Sequence, residues 1–180
     1  MKSHGESRRR PAAHVRPAGP EDAAAVALVG AATFLESYAG VIDGAALVRH
    51  CAEKQTEPVY AAAIADPGQR IWLAELEGAP AGYLHLTPPE LPVPVQARDL
   101  EIKRIYVLSR LHGTGLGAKL LACAQDHARR VGAGTLLLGV YKENHRALGF
   151  YGRMGFETVG ERDFDVGGVT YHDWVLGKAV

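Results

Sequence analysis

In RIYVLSRLHGTGLGAKLL, residues 104–121, an apolar β-branched run leads into Gly113, Gly115 and Gly117 and then into a helical pattern. A strand that feeds glycines and then a helix gathers backbone N–H groups and the positive end of a helix dipole at one point. That arrangement holds anions, phosphates above all. The glycines let a phosphate approach the backbone without meeting a Cβ, and Arg110 and His112 bring further donors. A turn that serves only the fold is the competing reading.

Three kinds of phosphate-bearing ligand suit such a turn. A P-loop needs Gly-x-x-x-x-Gly-Lys-Ser/Thr, whereas Lys119 follows Ala118 and precedes Leu120, so that route is disfavoured. Gly113 to Ala118 does satisfy the dinucleotide pattern Gly-x-Gly-x-x-Ala, with Glu143 after the next strand. A dinucleotide fold, however, opens with this turn and continues with several strands. Here the turn lies past the middle of 180 residues. The third kind is a pantetheine-linked pyrophosphate.

The elements that must position this turn follow from periodicity and punctuation. His14–Arg16 reads as a short strand. Pro20, Glu21 and Asp22 open a helix that Gly40 stops, and Asp43 caps a second helix to about Lys54. A short helical or irregular segment follows to Ala65. Ile71–Leu76 and Ala81–Thr87 form a hairpin, and the proline-rich 88–96 segment crosses the surface as a loop. Asp99–Leu108 is a strand, with Glu101 on the face of Ile105 and Val107 by alternation. A helix from about Thr114 to Val131 carries the stripe Leu116, Leu120, Ala124, His127 and Val131. TLLLGVY is a buried strand, Asn144 opens a helix to Met154, and a final hairpin turns at Gly167 and Gly168. The expected architecture is α/β, one mixed, mostly antiparallel sheet of about seven strands with about four helices on its faces.

Composition narrows the function further. With 47% hydrophobic and 22% charged residues the chain has the make-up of one globular domain, expected over residues 13–180. Residues 1–16 hold five of the 20 basic residues and one of the 20 acidic ones, leaving 15 and 19 in the body, a net charge of −4. That balance argues against duplex nucleic acid as a partner and mildly favours a cationic one. Residues 1–12 read as a disordered basic tail or expression remnant. No segment has signal-peptide or membrane-span character, so no membrane partner and a cytoplasmic location are expected. Cys51 and Cys123 fit small buried side chains.

With these elements in place, two segments resemble a known family. Arg110-Leu-His-Gly113-Thr-Gly115 resembles the Arg/Gln-x-x-Gly-x-Gly/Ala pyrophosphate loop of the GNAT N-acetyltransferases. Asn144 through Ala147, Phe150 and Tyr151 to Gly155-Phe156 is similar to the family's Asn-x-x-Ala-x-x-Phe-Tyr region. LEIKRIYV, LLLGVYKEN, FYGRMGF, TFLESYAG and Asp173 before WVLGK resemble the PaiA-type polyamine acetyltransferases within it. The resemblance implies acetyl-CoA as donor and a sheet splayed at its site. It implies backbone contacts to pantetheine and acetyl from Tyr106, Val107 and Leu108. The turn Arg110, His112, Gly113, Thr114, Gly115, Leu116 and Gly117 would then take the pyrophosphate.

The same resemblance assigns chemistry. Tyr151 matches the family tyrosine beside the cofactor sulfur, a proton donor to the leaving thiolate; core packing is its alternative. Asn144 suits either a cofactor contact or a helix cap. An amine of ordinary pKa is ammonium at pH 7, and neutralising it costs roughly 4–5 kcal/mol. Glu101 is the candidate base, against a surface charge pairing with Lys103 or Arg104. His85 and His112 lack metal-ligand spacing, so no metal is expected. A small primary amine, with polyamines leading, is the expected acceptor, and Glu36 and Asp43 are the carboxylates that could receive it. A protein N-terminus or lysine is the alternative acceptor, and a non-catalytic module binding CoA the alternative role. Homodimerisation is compatible with an exposed sheet edge.

Overall fold

In the computed structural model, which describes residues 13–166 and 169–180, seven strands form one sheet in the order β1-β2-β3-β4-β5-β7-β6. These are β1 (Ala13–Pro17), β2 (Arg70–Leu76), β3 (Ala79–Thr87), β4 (Leu100–Val107), β5 (Thr135–Tyr141), β6 (Glu157–Val166) and β7 (Val169–Ala179). Five helices are described: α1 (Ala23–Tyr38), α2 (Gly44–Lys54), α3 (Glu57–Ala65), α4 (Leu116–Val131) and α5 (His145–Arg153). The expected count was about four; the segment left open before Ala65 is the fifth, entered through Pro58 in its first turn. The basic tail over 1–12 and the Gly167–Gly168 turn lie outside the described residues.

Every neighbouring pair of strands is antiparallel except β4 and β5, which run parallel. One face of the sheet packs on α4 and α5 through Leu84, Leu86, Ile102, Leu120, Leu136, Leu138 and Tyr151. The other face packs on α1 and α3 through Val26, Tyr60, Leu73 and Tyr83. Farther along, Leu91 and Val93 of the proline-rich loop cover Leu137 and Val175. The segment is a loop, as expected, but it does more than cross the surface: it inserts Leu91 into the core against the sheet.

Three details depart from the sequence reading. The buried stripe of α4 is Leu116, Leu120, Leu121, Ala124 and Ala128. His127 is half-buried, edge-on to Trp72 with centroids 5.8 Å apart, and Val131 is exposed. The helix starts at Leu116 rather than Thr114, because Gly115 adopts left-handed φ 85° and serves as its N-cap. Arg16, counted with the basic tail, bonds both Asp22 (2.6 Å) and Glu75 (2.8 Å), tying β1 to β2 and to the start of α1.

Candidate active site

The sheet opens where the glycine turn leaves it. β4 and β5 pair only at Leu100–Leu136 and Glu101–Leu137, and beyond these residues they diverge. Leu108 N–H donates to Ala81 C=O at 3.0 Å. By antiparallel alternation the N–H and C=O of Val107 therefore point away from β3 and into the opening. A strand edge whose backbone groups no neighbouring strand takes is what an extended pantetheine-like chain needs in order to bind as if it were a strand.

Past this edge, Ser109–Leu111 form a 3-10 turn in which Arg110 is exposed. Gly113 has φ 78° and Gly115 φ 85°, both in the left-handed region that glycine adopts without a Cβ penalty. The first bond into α4 runs from Lys119 N–H to Gly115 C=O at 3.0 Å. The N–H groups of Leu116, Gly117 and Ala118 thus have no acceptor within the helix. No acidic residue occupies that first turn, so the positive end of a 16-residue helix faces outward uncompensated.

The other members of the turn divide by role. The Leu116 side chain is 2% exposed and belongs to the core, so only its backbone can meet an anion. Gly117 is helical, and a Cβ there would lie 3.6 Å from Phe150 Cζ, an ordinary contact. Thr114 Oγ1 donates to Leu111 C=O at 2.6 Å, bracing the turn. His112 Nε2 stands 2.7 Å from Val107 O, the carbonyl that points into the opening.

Tyr151 lies on α5, buried between Phe150 and Phe156 with ring centroids 5.3 and 5.7 Å away. Burial holds its phenol well above the ordinary tyrosine pKa, and Tyr38 adds to the rise. Its proton therefore stays on oxygen at every working pH. Asn144 Oδ1 accepts the Ala147 N–H at 3.1 Å, which makes it the N-cap of α5.

Glu101 is not on the face of Ile105 and Val107. Leu86 pairs with Ile102 and His85 with Arg104, so Lys103 is an extra residue in β4 and the alternation slips by one. Glu101, Arg104 and Tyr106 consequently share the face of Tyr83 and His85. The Glu101 carboxylate is 2% exposed. One oxygen accepts the Glu90 N–H of the proline-rich loop at 2.8 Å, and the other lies 3.6 Å from Lys103 Nζ.

A GNAT acetyltransferase family model matches residues 29–156. The chain belongs to the GNAT family of acetyltransferases. An uncharacterised N-acetyltransferase of Lactobacillus delbrueckii subsp. lactis is 33% identical over 118 residues, which cover 65% of this chain and 68% of that protein. A mycothiol acetyltransferase of Parafrankia sp. is 31% identical over 82% of this chain, which spans 53% of that enzyme. The PaiA N-acetyltransferase of Thermoplasma acidophilum, solved with coenzyme A, superposes with TM-score 0.77 at 20% identity, covering 94% of this chain and 99% of the other. As a GNAT N-acetyltransferase the protein uses acetyl-CoA. The residues present fit it: an unpaired strand edge, two left-handed glycines and a free helix N-terminus follow one another along the opening. Among the described residues no group of three or more His, Cys, Asp or Glu could hold a metal ion, and no helix is long and apolar enough to cross a membrane.

The far side of the opening holds Tyr38, Arg162 and Tyr171, which sequence alone did not single out, together with the expected carboxylates Glu36 and Asp43. The Tyr38 and Tyr106 hydroxyls are 3.4 Å apart. Glu36 accepts the N–H and O–H of Ser109 at 2.8 and 3.0 Å. Asp43 accepts the Ala46 N–H at 3.0 Å and caps α2. The two carboxylates expected to receive a polyamine are thus engaged in holding the scaffold. Tyr171 Oη donates to Val41 C=O at 3.1 Å, bridging β7 and the α1–α2 turn across the cleft. Arg162 of β6 bonds Asp173 of β7 at 2.9–3.0 Å, and both charges are felt at the Tyr38 hydroxyl.

Proposed function

We propose that this N-acetyltransferase transfers acetyl from acetyl-CoA to the primary amine of a small molecule by direct attack, with Tyr151 as proton donor. The observation that carries the reading is the opening between β4 and β5, flanked by Val107, closed by the glycine turn and α4, with Tyr151 buried on the same side of the sheet. Acetyl-CoA supplies an activated thioester. On this reading the N–H and C=O of Val107, between Tyr106 and Leu108, orient the pantetheine arm. The free N–H groups of Leu116, Gly117 and Ala118, with the left-handed glycines before them and Arg110, hold the pyrophosphate. As the amine forms its C–N bond and the C–S bond breaks, Tyr151 donates its proton toward the departing sulfur.

The amine must lose a proton, and Glu101 is the proposed base. Its position under the proline-rich loop means that it would act through water rather than by touching the amine. Polyamines are the acceptor class implied by the sequence resemblance, and the T. acidophilum PaiA enzyme has the same fold. With Glu36 and Asp43 engaged, neither carboxylate adds support for a polycation over other primary amines. A dimer joined through the free edges of β1 or β6 is part of the proposal, checked by sedimentation.

The test is an amine panel mixed with acetyl-CoA while free thiol is followed. Amine-dependent thiol release is expected. Binding of acetyl-CoA with no release from any amine would reject the enzymatic reading.

A further inference from the structure

The floor of the cleft beyond the opening carries a guanidinium laid flat on a glycine. A Cβ built on Gly139 would lie 2.6, 2.7 and 2.8 Å from Nη2, Cζ and Nε of Arg162. Gly139 stands two residues past Leu137, where the β4–β5 ladder ends, so it lines the β5 bank of the opening. Arg162 reaches it from β6, across β7. Arg162 pairs in register with Asp173, and Asp173 with Tyr141, so all three share one face. Asp173 fixes the guanidinium from one side through a single oxygen, Oδ2, 3.0 Å from Nε and 2.9 Å from Nη2. Phe164 supports it from another, with Cζ 5.2 Å from the ring centre. Any residue larger than glycine at 139 would push the group off the floor.

The charge on this face is unsuited to a polycation. Around the opening it carries Arg104 on β4, with no carboxylate partner among the described residues, and the Arg162–Asp173 pair. The remaining acid of β4, Glu101, is sealed under the proline-rich loop. A fixed guanidinium beside a carboxylate has the pattern that a carbonyl-bearing amine complements: the acceptor oxygen goes to Arg, and the amine to the acidic side.

We infer that Arg162, seated on Gly139 and held by Asp173, is the acceptor-recognition residue, and that the acceptor is an amine with a carboxylate or amide carbonyl on the adjacent carbon. This rests on the acetyl-transfer reading above and names its substrate class. Free α-amino acids and peptide N-termini both present that group.

The experiment compares L-amino acids, their amides, dipeptides, the matching decarboxylated amines and spermidine in the thiol-release assay. At least one carbonyl-bearing acceptor is expected to exceed its decarboxylated counterpart in kcat/KM by roughly tenfold or more. Arg162→Met should collapse that ratio toward one, mainly through KM, with acetyl-CoA affinity by calorimetry unchanged. Gly139→Ala, which keeps the arginine but displaces its guanidinium, should do the same if Arg162→Met folds poorly. The free acid, amide and dipeptide arms separate an amino acid from a peptide terminus. Thiol release indifferent to the carbonyl, or fastest with spermidine and insensitive to both variants, would overturn the inference and leave acetyl transfer standing. Absence of amine-dependent release across the whole panel would overturn both.

Discussion

Glu36 receives two bonds from Ser109, its backbone N–H at 2.8 Å and its hydroxyl at 3.0 Å. A carboxylate on the last turns of α1 therefore holds the first residue of the turn that follows β4. Two residues on, Tyr38 meets Tyr106 of the same strand. Helix α1 is thus fastened at two points to the end of β4 and the turn that follows it.

Glu36→Ala removes one of these fastenings and leaves the other. It loses both bonds to Ser109 and should weaken acetyl-CoA binding by roughly three- to tenfold, about the net worth of one ordinary hydrogen bond passed to the ligand through the turn. Acceptor KM should move little. Calorimetric titration with CoA checks the first statement and initial rates the second. A large rise in KM for polyamines alone would instead return Glu36 to acceptor binding.

Tyr151→Phe deletes one hydroxyl and keeps the ring contacts with Phe150 and Phe156. Turnover should fall by about 100-fold or more, the usual contribution of a positioned general acid, while CoA affinity and melting temperature stay close to wild type. Because burial holds the phenol far above its ordinary pKa, kcat should show no alkaline limb below pH 10 attributable to this group. Unchanged turnover in the variant would reduce Tyr151 to core packing.

Much of this arrangement is written in local sequence. Strand, glycine turn and helix are adjacent in the chain, so Gly113, Gly115 and the free N–H groups of α4 are legible from residue order alone. Glu101 is different. One extra residue at Lys103 reverses its face, and a bulge leaves no mark in a run of β-branched and charged residues. Arg162 is harder still, since its seat on Gly139 arises from register across three strands whose order in space is not their order in the chain. Glu36 and Asp43 read as available acids because their backbone partners are set by turns, and a carboxylate spent on an N–H looks the same in sequence as a free one.

The two glycines flanking Leu116 should respond in opposite ways to the same substitution. Gly115 has left-handed φ, so Gly115→Ala should cost about 1–2 kcal/mol of stability and disturb the N–H groups proposed to hold the pyrophosphate. Gly117 is helical with ordinary room for a Cβ, and Gly117→Ala should stabilise by up to about 1 kcal/mol through helix propensity. Thermal melts measure both. Paired CoA titrations then decide whether Gly117 also matters for approach: affinity lost in the Gly117→Ala protein despite raised stability would mean that the ligand packs against the Cα of Gly117.

His85 sets a prediction about acid. It is 6% exposed, its Nε2–H donates to Gln69 Oε1 at 2.6 Å, and Nδ1 is buried without a partner. Burial above all, then the charges of Arg104 and Lys103, push its pKa down to about 4. The unfolded chain, with an ordinary histidine near 6.5, takes up a proton that the folded protein refuses between pH 6.5 and 4. Stability from this group is full above pH 6.5 and is lost as pH falls through that window, on the order of 3 kcal/mol in all. His85→Gln can keep a bond to Gln69 and has nothing to protonate. Melting temperatures from pH 7 to pH 4 should therefore fall less steeply for the variant than for wild type, and parallel curves would show that His85 is protonated in the fold.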